Sequence, residues 1–456
     1  MSRPGVWADD RNAALLTDLY ELTMMQAYFR EGLRDTAVFD LFVRKLPANR
    51  NYLVAAGLET AIGYLEDLHF TPEALAYLES LGTFSRDFLD YLAELRFTGD
   101  VAAMPEGTPV FPDEPLIEVT APLPQAQLAE TFLLNQIHHQ TLMASKASRV
   151  VDAAGEAAVV DFGARRMHGV DASLKAARAF HIAGAAATSN VLAGQVYGIP
   201  VSGTMAHSYI EAHPDELGAF AAFAGIYPDT VLLVDTYDTL AGVRKVAELA
   251  ARWGDDFRVR AIRLDSGDLG RLARDSRAIL DAAGLTGVGI FASGSLDEYR
   301  IAELMAQGAP IDGFGVGTHM GVSEDAPYLD SAYKLVEYAG QPRMKLATHK
   351  VTLPGRKQVF READEAGTLQ RDVIARADEV APGRPLLQPV MRGGKREPGA
   401  LPDLAGARDH ARQERQRLPG VLRGVEAAAT AYPVSVSDAL RQTADSLRRS
   451  LGGGSA

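Results

Sequence analysis

Val259-Arg-Ala-Ile-Arg-Leu-Asp-Ser-Gly-Asp268 begins as a short apolar run and ends in a polar turn, and the amphipathic stretch Leu269 to Ala283 follows at once. A run this short, closed by Ser266-Gly267 and followed by a helix-length segment, reads as one strand-turn-helix unit of a parallel sheet. The unit recurs on both sides. Further apolar runs are Ala157 to Phe162, Tyr197 to Val201, Thr230 to Val234, Gly287 to Ala292 and Ile311 to Val316, and the helix candidates between them are Ser173 to Asn190, Thr239 to Arg252 and Leu296 to Gln307.

Polar groups collect at the carboxyl end of every run: Asp161-Phe-Gly-Ala-Arg-Arg166, Gly203-Thr-Met-Ala-His207, Asp235-Thr-Tyr-Asp238, Arg263-Leu-Asp-Ser-Gly-Asp268, Ser293-Gly-Ser295 and Gly313-Phe-Gly-Val-Gly-Thr318. A (β/α) barrel places its active site on that face. Six runs do not make the usual eight strands, so an open doubly wound sheet is the second choice. The predicted fold class is α/β, an irregular (β/α) barrel with a smaller discontinuous α+β domain built from both ends of the chain. The predicted parts are residues 1–125 for the N-terminal piece of that domain, 126–325 for the barrel, 326–380 for its returning strands, and 381–456 for an Arg-rich helical tail. Helices are predicted at Leu15 to Glu31, Pro72 to Arg96, Leu404 to Arg417 and Ser435 to Ser450. Strands are predicted at Thr36 to Val43, at Leu116 to Thr120 and around the turn Leu353-Pro-Gly-Arg356. The tail helices read as a solvated, mixed-charge surface, and Leu451 to Ala456 as disordered.

Composition narrows the function. The 456 residues include no cysteine, which excludes disulfides, thiolate metal sites and cysteine nucleophiles. A net charge of -13 argues against a general nucleic-acid binder. No run of eighteen apolar residues is present and residues 1–10 lack an apolar core, so the expected location is cytoplasmic, with no membrane partner.

The run Ile199-Pro-Val-Ser-Gly-Thr-Met-Ala-His-Ser-Tyr209 delivers His207 at its end. A neutral imidazole can accept and pass on a phosphoryl group. Arg263 and Asp265, two apart on an extended strand, project to one face, where a cation and an anion meet one ligand or close on each other as a salt bridge. Asp265 or Asp268 could hold Mg²⁺ through water, with substrate phosphates as the main ligands and no dedicated metal site assigned. The glycine-rich ends with Ser293, Gly294, Ser295, Gly315, Gly317 and Thr318 leave backbone N–H groups open to a phosphate. Arg165 and Arg166 are candidate anion clamps. Taken alone, Tyr20 reads as core, Thr17 or Asp18 as an N-cap, and Lys146 and Arg149 as surface charges.

Together these motifs resemble the nicotinate phosphoribosyltransferases. The residues that carry the likeness are Leu16-Thr-Asp-Leu-Tyr-Glu-Leu-Thr-Met24, Phe162-Gly-Ala-Arg-Arg166, Gly203 to His207, Arg263 to Asp268, Leu353-Pro-Gly-Arg-Lys-Gln-Val-Phe-Arg361 and Pro389 to Lys395. The resemblance implies ATP-coupled transfer of phosphoribose from 5-phosphoribosyl-1-pyrophosphate to nicotinate in NAD salvage, formally a ligase reaction. It implies Mg²⁺, ATP as co-substrate, a homodimer and a transiently phosphorylated His207. It further implies Tyr20 stacking on the pyridine, Arg165 on the nicotinate carboxylate, and Arg263 and Asp265 at the ribose and pyrophosphate. Ser293 to Ser295 and Gly315 to Thr318 would hold the 5-phosphate, with Asp18, Arg149, Thr204 and Ser208 as secondary contacts. Two departures stand out: the cysteine-ligated zinc element of some relatives cannot form, and His168 occupies a position where many relatives carry glutamine. Rival readings are a nicotinamide-specific transferase, a non-catalytic NAD-precursor sensor, and a phosphate-binding aldolase or isomerase. No strand end supplies the lysine that the last commonly needs.

Overall fold

The computed structural model describes Asp9, residues 11–346 and residues 352–452. Contacts divide the chain into a discontinuous unit, Met1–Leu142 with Tyr328–Leu422 and Ala427–Ala456, and a second unit, Met143–Pro327 with Arg423–Glu426. The first division falls inside the helix Glu130–Ala154. Because the C-terminal segment joins it, the discontinuous unit is the larger of the two rather than the smaller.

The second unit is built on six parallel strands: β1 (Ala158–Asp161), β2 (Ala187–Thr188), β3 (Val231–Leu233), β4 (Ala261–Leu264), β5 (Gly289–Ser293) and β6 (Gly313–Val316). Their order is β2-β1-β6-β5-β4-β3, all neighbours parallel. This is the predicted irregular barrel, an incomplete one. Helices Thr239–Trp253, Leu269–Ala282 and Glu298–Ala306 return the chain between strands, and each starts on an aspartate, Asp238, Asp268 or Asp297, whose carboxylate accepts a backbone N–H of the first turn. Leu232, Ile262, Leu264, Ile290, Ala292, Phe314 and Val316 are wholly buried in the sheet.

One segment departs from the sequence reading. Tyr197 to Val201 is not a strand. Gly184 ends the helix Val170–Ala183 in the left-handed region, β2 follows, and a second helix, Val191–Tyr197, runs from Asn190, whose side chain caps Ala193 N–H, to left-handed Gly198. Val201 makes only a single parallel bridge to Thr188.

In the discontinuous unit, Thr36–Val43 sits between Ser331–Tyr338 and Pro115–Pro122, antiparallel to both, as an interior strand of a seven-stranded sheet. Lys357–Ala363 belongs to a different, four-stranded sheet and pairs with Leu369–Arg376, so the Leu353–Arg356 turn does not join it to Ser331–Tyr338 as a hairpin. The predicted helix Pro72 to Arg96 is two, Pro72–Ser80 and Arg86–Glu94, interrupted at left-handed Gly82. The tail is structural rather than merely solvated: Gln388–Arg392 extends the large sheet, Val434–Val436 pairs with Leu369–Arg376, and helix Leu404–Gln416 buries Ala407, Ala411, Glu414 and Arg415. Glu414 accepts from Arg384 at 2.5 Å and Arg417 at 3.0 Å. Helix Asp438–Gly452 closes the described chain and takes in Leu451 and Gly452 of the stretch expected to be disordered, while residues 453–456 lie outside the described residues. No helix among the described residues is long and apolar enough to cross a membrane.

Candidate active site

At the carboxyl end of β1, Asp161 is buried and accepts from Gly163 N at 2.8 Å and Thr188 Oγ1 at 2.7 Å. Burial raises its pKa against those two bonds. The result is a rigid turn that leads into the short helix Ala164–Arg166, on which Arg165 is exposed. Arg166 reaches across to Thr318 Oγ1 at 3.2 Å.

Arg263, on β4, is the most heavily bonded side chain of this face. Its Nε donates to Ser293 Oγ at 2.9 Å, one terminal nitrogen to Thr204 Oγ1 at 2.6 Å and Met205 O at 3.2 Å, and the other to Asp265 Oδ1 at 2.9 Å. Its guanidinium also lies 5.7 Å from the centre of the Phe162 ring. Both alternatives raised by the sequence therefore hold: Arg263 and Asp265 pair with each other and still face a cavity. Burial pushes the Asp265 pKa up, but hydrogen bonds from Ser293 and Arg263, with the nearby charge of Arg263, outweigh it and hold the carboxyl below its ordinary range. Asp235 fixes the turn beneath, accepting Asp265 N–H at 2.8 Å and the Ser266 hydroxyl at 2.9 Å.

His207 begins the short helix His207–Glu211. Its Nδ1 lies 3.1 Å from Thr236 Oγ1, and its Nε2 lies 3.8 Å from Asp265 Oδ2. One ring nitrogen is thus tied to the neighbouring loop and the other directed at the carboxylate. Thr236 was not among the sequence candidates; its place directly after Asp235 at a strand end was the available signal.

Two cavities adjoin here and share Phe162, Arg165, Arg263 and Asp265. The first, of about 570 Å³, adds Ser189, Gly203, Thr204, His207 and Ser208. The second, of about 350 Å³, adds Ser293, Gly294, Ser295, Gly315, Gly317, Thr318 and His319. Gly294 has φ +90°, and a Cβ there would come within 1.9 Å of Asp265 O, so only glycine fits. A Cβ on Gly315 would meet the Phe162 ring at 2.5 Å.

Other candidates stand elsewhere. Lys146 and Arg149 are not surface charges: they are 1% and 5% exposed, and Glu298 accepts from both, at 2.5 and 2.8 Å. Arg149 also donates to Tyr299 Oη and Val425 O and lines neither cavity. Asp268 and Asp238 act as helix N-caps. His168 is exposed. Tyr20 and Asp18 belong to the discontinuous unit. Tyr20 is 46% exposed on the helix Leu19–Glu31, so it is not core, and Asp18 is that helix's N-cap residue, its carboxylate accepting from Thr131 Oγ1 at 2.8 Å. Among the described residues no group of three or more His, Asp or Glu side chains forms a metal cage.

Residues 15–138 match the nicotinate phosphoribosyltransferase (NAPRTase) N-terminal domain, and residues 157–345 match the nicotinate phosphoribosyltransferase (NAPRTase) family. Nicotinate phosphoribosyltransferase pncB2 of Mycobacterium tuberculosis is 56% identical over 425 residues, covering 93% of this chain and 92% of that one. The Bacillus subtilis nicotinate phosphoribosyltransferase is 45% identical over 379 residues, covering 81% and 77%. The crystal structure of human nicotinic acid phosphoribosyltransferase superposes with a TM-score of 0.84 at 31% identity, covering 94% of this chain and 99% of that one. With both domains matched and identity of this order over nearly the whole length, the chain belongs to the nicotinate phosphoribosyltransferase family.

Proposed function

We propose that this protein transfers the phosphoribosyl group of 5-phosphoribosyl-1-pyrophosphate to nicotinate, coupled to ATP through phosphorylation of His207. The observation that carries the reading is the shared wall of the two cavities, where Arg263 and Asp265 separate an imidazole-bearing space from a glycine-lined one. In this reading the 5-phosphate occupies the smaller cavity, among Ser293, Gly294, Ser295, Gly315, Gly317 and Thr318. The ribose and pyrophosphate lie against Arg263 and Asp265, with Thr204 and Ser208 at their edge. Arg165 pairs with the nicotinate carboxylate. The pyridine nitrogen bonds to the anomeric carbon as the bond to the pyrophosphate oxygen breaks, and the electron pair leaves with pyrophosphate. Asp265, ionised because Arg263 and Ser293 hold its pKa down, stabilises the positive charge that develops on the ribose.

His207 Nε2 attacks the terminal phosphorus of ATP, ADP departs, and later hydrolysis of the phosphohistidine releases phosphate. The Thr236 contact at Nδ1 supports Nε2 as the accepting nitrogen. Mg²⁺, when bound, neutralises pyrophosphate charge. With no cage of three or more such side chains among the described residues, it would rest on substrate oxygens, with Asp265 reaching it directly or through water. A cytoplasmic homodimer completes the proposal. Exposed apolar side chains on the barrel unit, Val191, Leu192, Val196, Ile226 and Tyr227, support the self-association.

The test is conversion of nicotinate and 5-phosphoribosyl-1-pyrophosphate with Mg²⁺, with and without ATP, measuring nicotinate mononucleotide and ADP. ATP-stimulated product with matching ADP is expected, as is loss of the stimulation in His207→Ala. Preference for nicotinamide in direct competition would overturn the Arg165 assignment, and absence of product from either base would overturn catalysis in favour of a sensor.

A further inference from the structure

Distant segments of the discontinuous unit meet around one buried cluster of charge. Asp372, on the strand Leu369–Arg376, is fully buried and accepts from Arg361 Nε at 2.9 Å, from a terminal nitrogen of the same guanidinium, and from Tyr432 Oη at 3.0 Å. Its own N–H donates to Pro433 O at 3.0 Å, so Asp372 holds the C-terminal segment by side chain and backbone together. The Phe111 ring stacks on Tyr432 at 4.0 Å and lies 5.6 Å from the Arg361 guanidinium. One cation and one carboxylate thus balance at the centre. Behind Arg361 stand His410 and Glu414, the latter paired with Arg384 and Arg417.

Glu114 brings a second carboxyl into this space. It is fully buried; its Oε2 accepts from Phe111 N–H at 2.9 Å, its Oε1 has no donor, and Asp372 is within hydrogen-bond reach. Asp113, just before it, has φ +64°, a conformation disfavoured for a residue with a Cβ, so local backbone preference does not account for the inward carboxyl. The charged groups that face Glu114 are Asp372 and Arg361, with the Tyr432 phenol beside them. Two carboxyl oxygens bond to each other only when a hydrogen lies between them. Arg361 and Tyr432 commit Asp372 as the anion. An ionised Glu114 would leave an uncompensated charge in the interior, whereas its acid form donates to Asp372 and satisfies the orphaned oxygen. Burial and the neighbouring Asp372 accordingly push the Glu114 pKa well above 4.5, against Arg361 and the Phe111 N–H.

We propose that Glu114 is protonated in the folded protein at neutral pH and that its hydroxyl, donating to Asp372, is a proton-dependent clasp that fastens residues 432–436 to the strand Leu369–Arg376 and loosens as pH rises. The clasp does not depend on the proposed reaction.

A glutamate set free in water titrates near 4.5, so above that pH opening the clasp releases one proton. Opening then becomes about tenfold easier with each pH unit, until the closed state titrates as well. Backbone hydrogen exchange on the full chain, corrected for intrinsic rates, reads this at the amides of Asp372 and Ser437, which bond to Pro433 O and Ile374 O. Between pH 5.5 and 7.5 we expect their protection to fall in the parent. Glu114→Gln, whose amide can donate to Asp372 and accept from Phe111 N–H, should stay protected, with a dependence shallower by a factor of about ten per pH unit. Glu114→Met, which cannot titrate either, should lose the same slope. Protection independent of pH in the parent, an unchanged slope in both variants, or loss of protection in Glu114→Gln at neutral pH would overturn the proposal.

Discussion

Glu21 offers a direct test of how the Leu16 to Met24 motif is built. It lies fully buried in the first turn of the helix Leu19–Glu31. Thr17 Oγ1 donates to one of its oxygens, and the other lies 2.7 Å from Thr131 Oγ1, whose single hydrogen is shared with the Asp18 carboxylate. Burial is the largest influence on its carboxyl; the two threonines oppose it, Glu130 and Asp18 add to it, and the pKa is pushed up to about 7 from 4.5. Lys334, 3.2 Å from Glu130, is the nearby cation. Because the folded state holds this proton more tightly than the unfolded chain, its contribution is fully present below pH 4.5 and is lost as pH rises through 7. The difference amounts to about 3 kcal/mol above pH 7. Glu21→Gln keeps the shape and removes the charge, and both threonine hydroxyls can rotate to serve the amide. The variant should therefore melt roughly 5 °C higher than the parent at pH 8, and at nearly the same temperature at pH 4.5, by calorimetry at matched ionic strength. An equal shift at both pH values, or destabilisation confined to pH 8, would refute the reasoning.

Two further variants probe the barrel unit. Gly294→Ala forces a methyl group to within 1.9 Å of Asp265 O at φ +90°, so it should displace the Asp265 carboxylate and, if the proposed function holds, lower kcat/KM at least tenfold, with circular dichroism unchanged. Retention of parental kinetics would show that the Asp265 turn is not held by this contact. Glu298→Ala leaves Lys146 and Arg149 buried without their common carboxylate, and urea unfolding should report a loss of about 3 kcal/mol. A loss under 1 kcal/mol would mean that Asp325, which accepts from Lys146 at 2.8 Å, and the Val425 carbonyl, which accepts from Arg149, suffice.

Local pattern settled much of this molecule. Short apolar runs ending in polar turns placed five of the six parallel strands, and the aspartates at 238, 268 and 297 mark helix starts that need nothing beyond their own first turn. The two-residue period of a strand put Arg263 and Asp265 on one face. What failed locally was Tyr197 to Val201, where two left-handed glycines and an asparagine cap outweigh the apolar character of the run.

Other features were decided only by tertiary structure. Arg149 and Glu298 are 149 residues apart in sequence, and no periodicity announces that they meet in the interior. Nor does it announce that Thr236 finds the imidazole of His207, 29 residues away, or that the tail's Val434–Val436 becomes a sheet strand. Secondary structure is set by neighbours within a turn or two, and so it can be read from composition and spacing. Buried charge pairing and cavity shape are set by which distant segments pack together, and they exist only once the chain has folded.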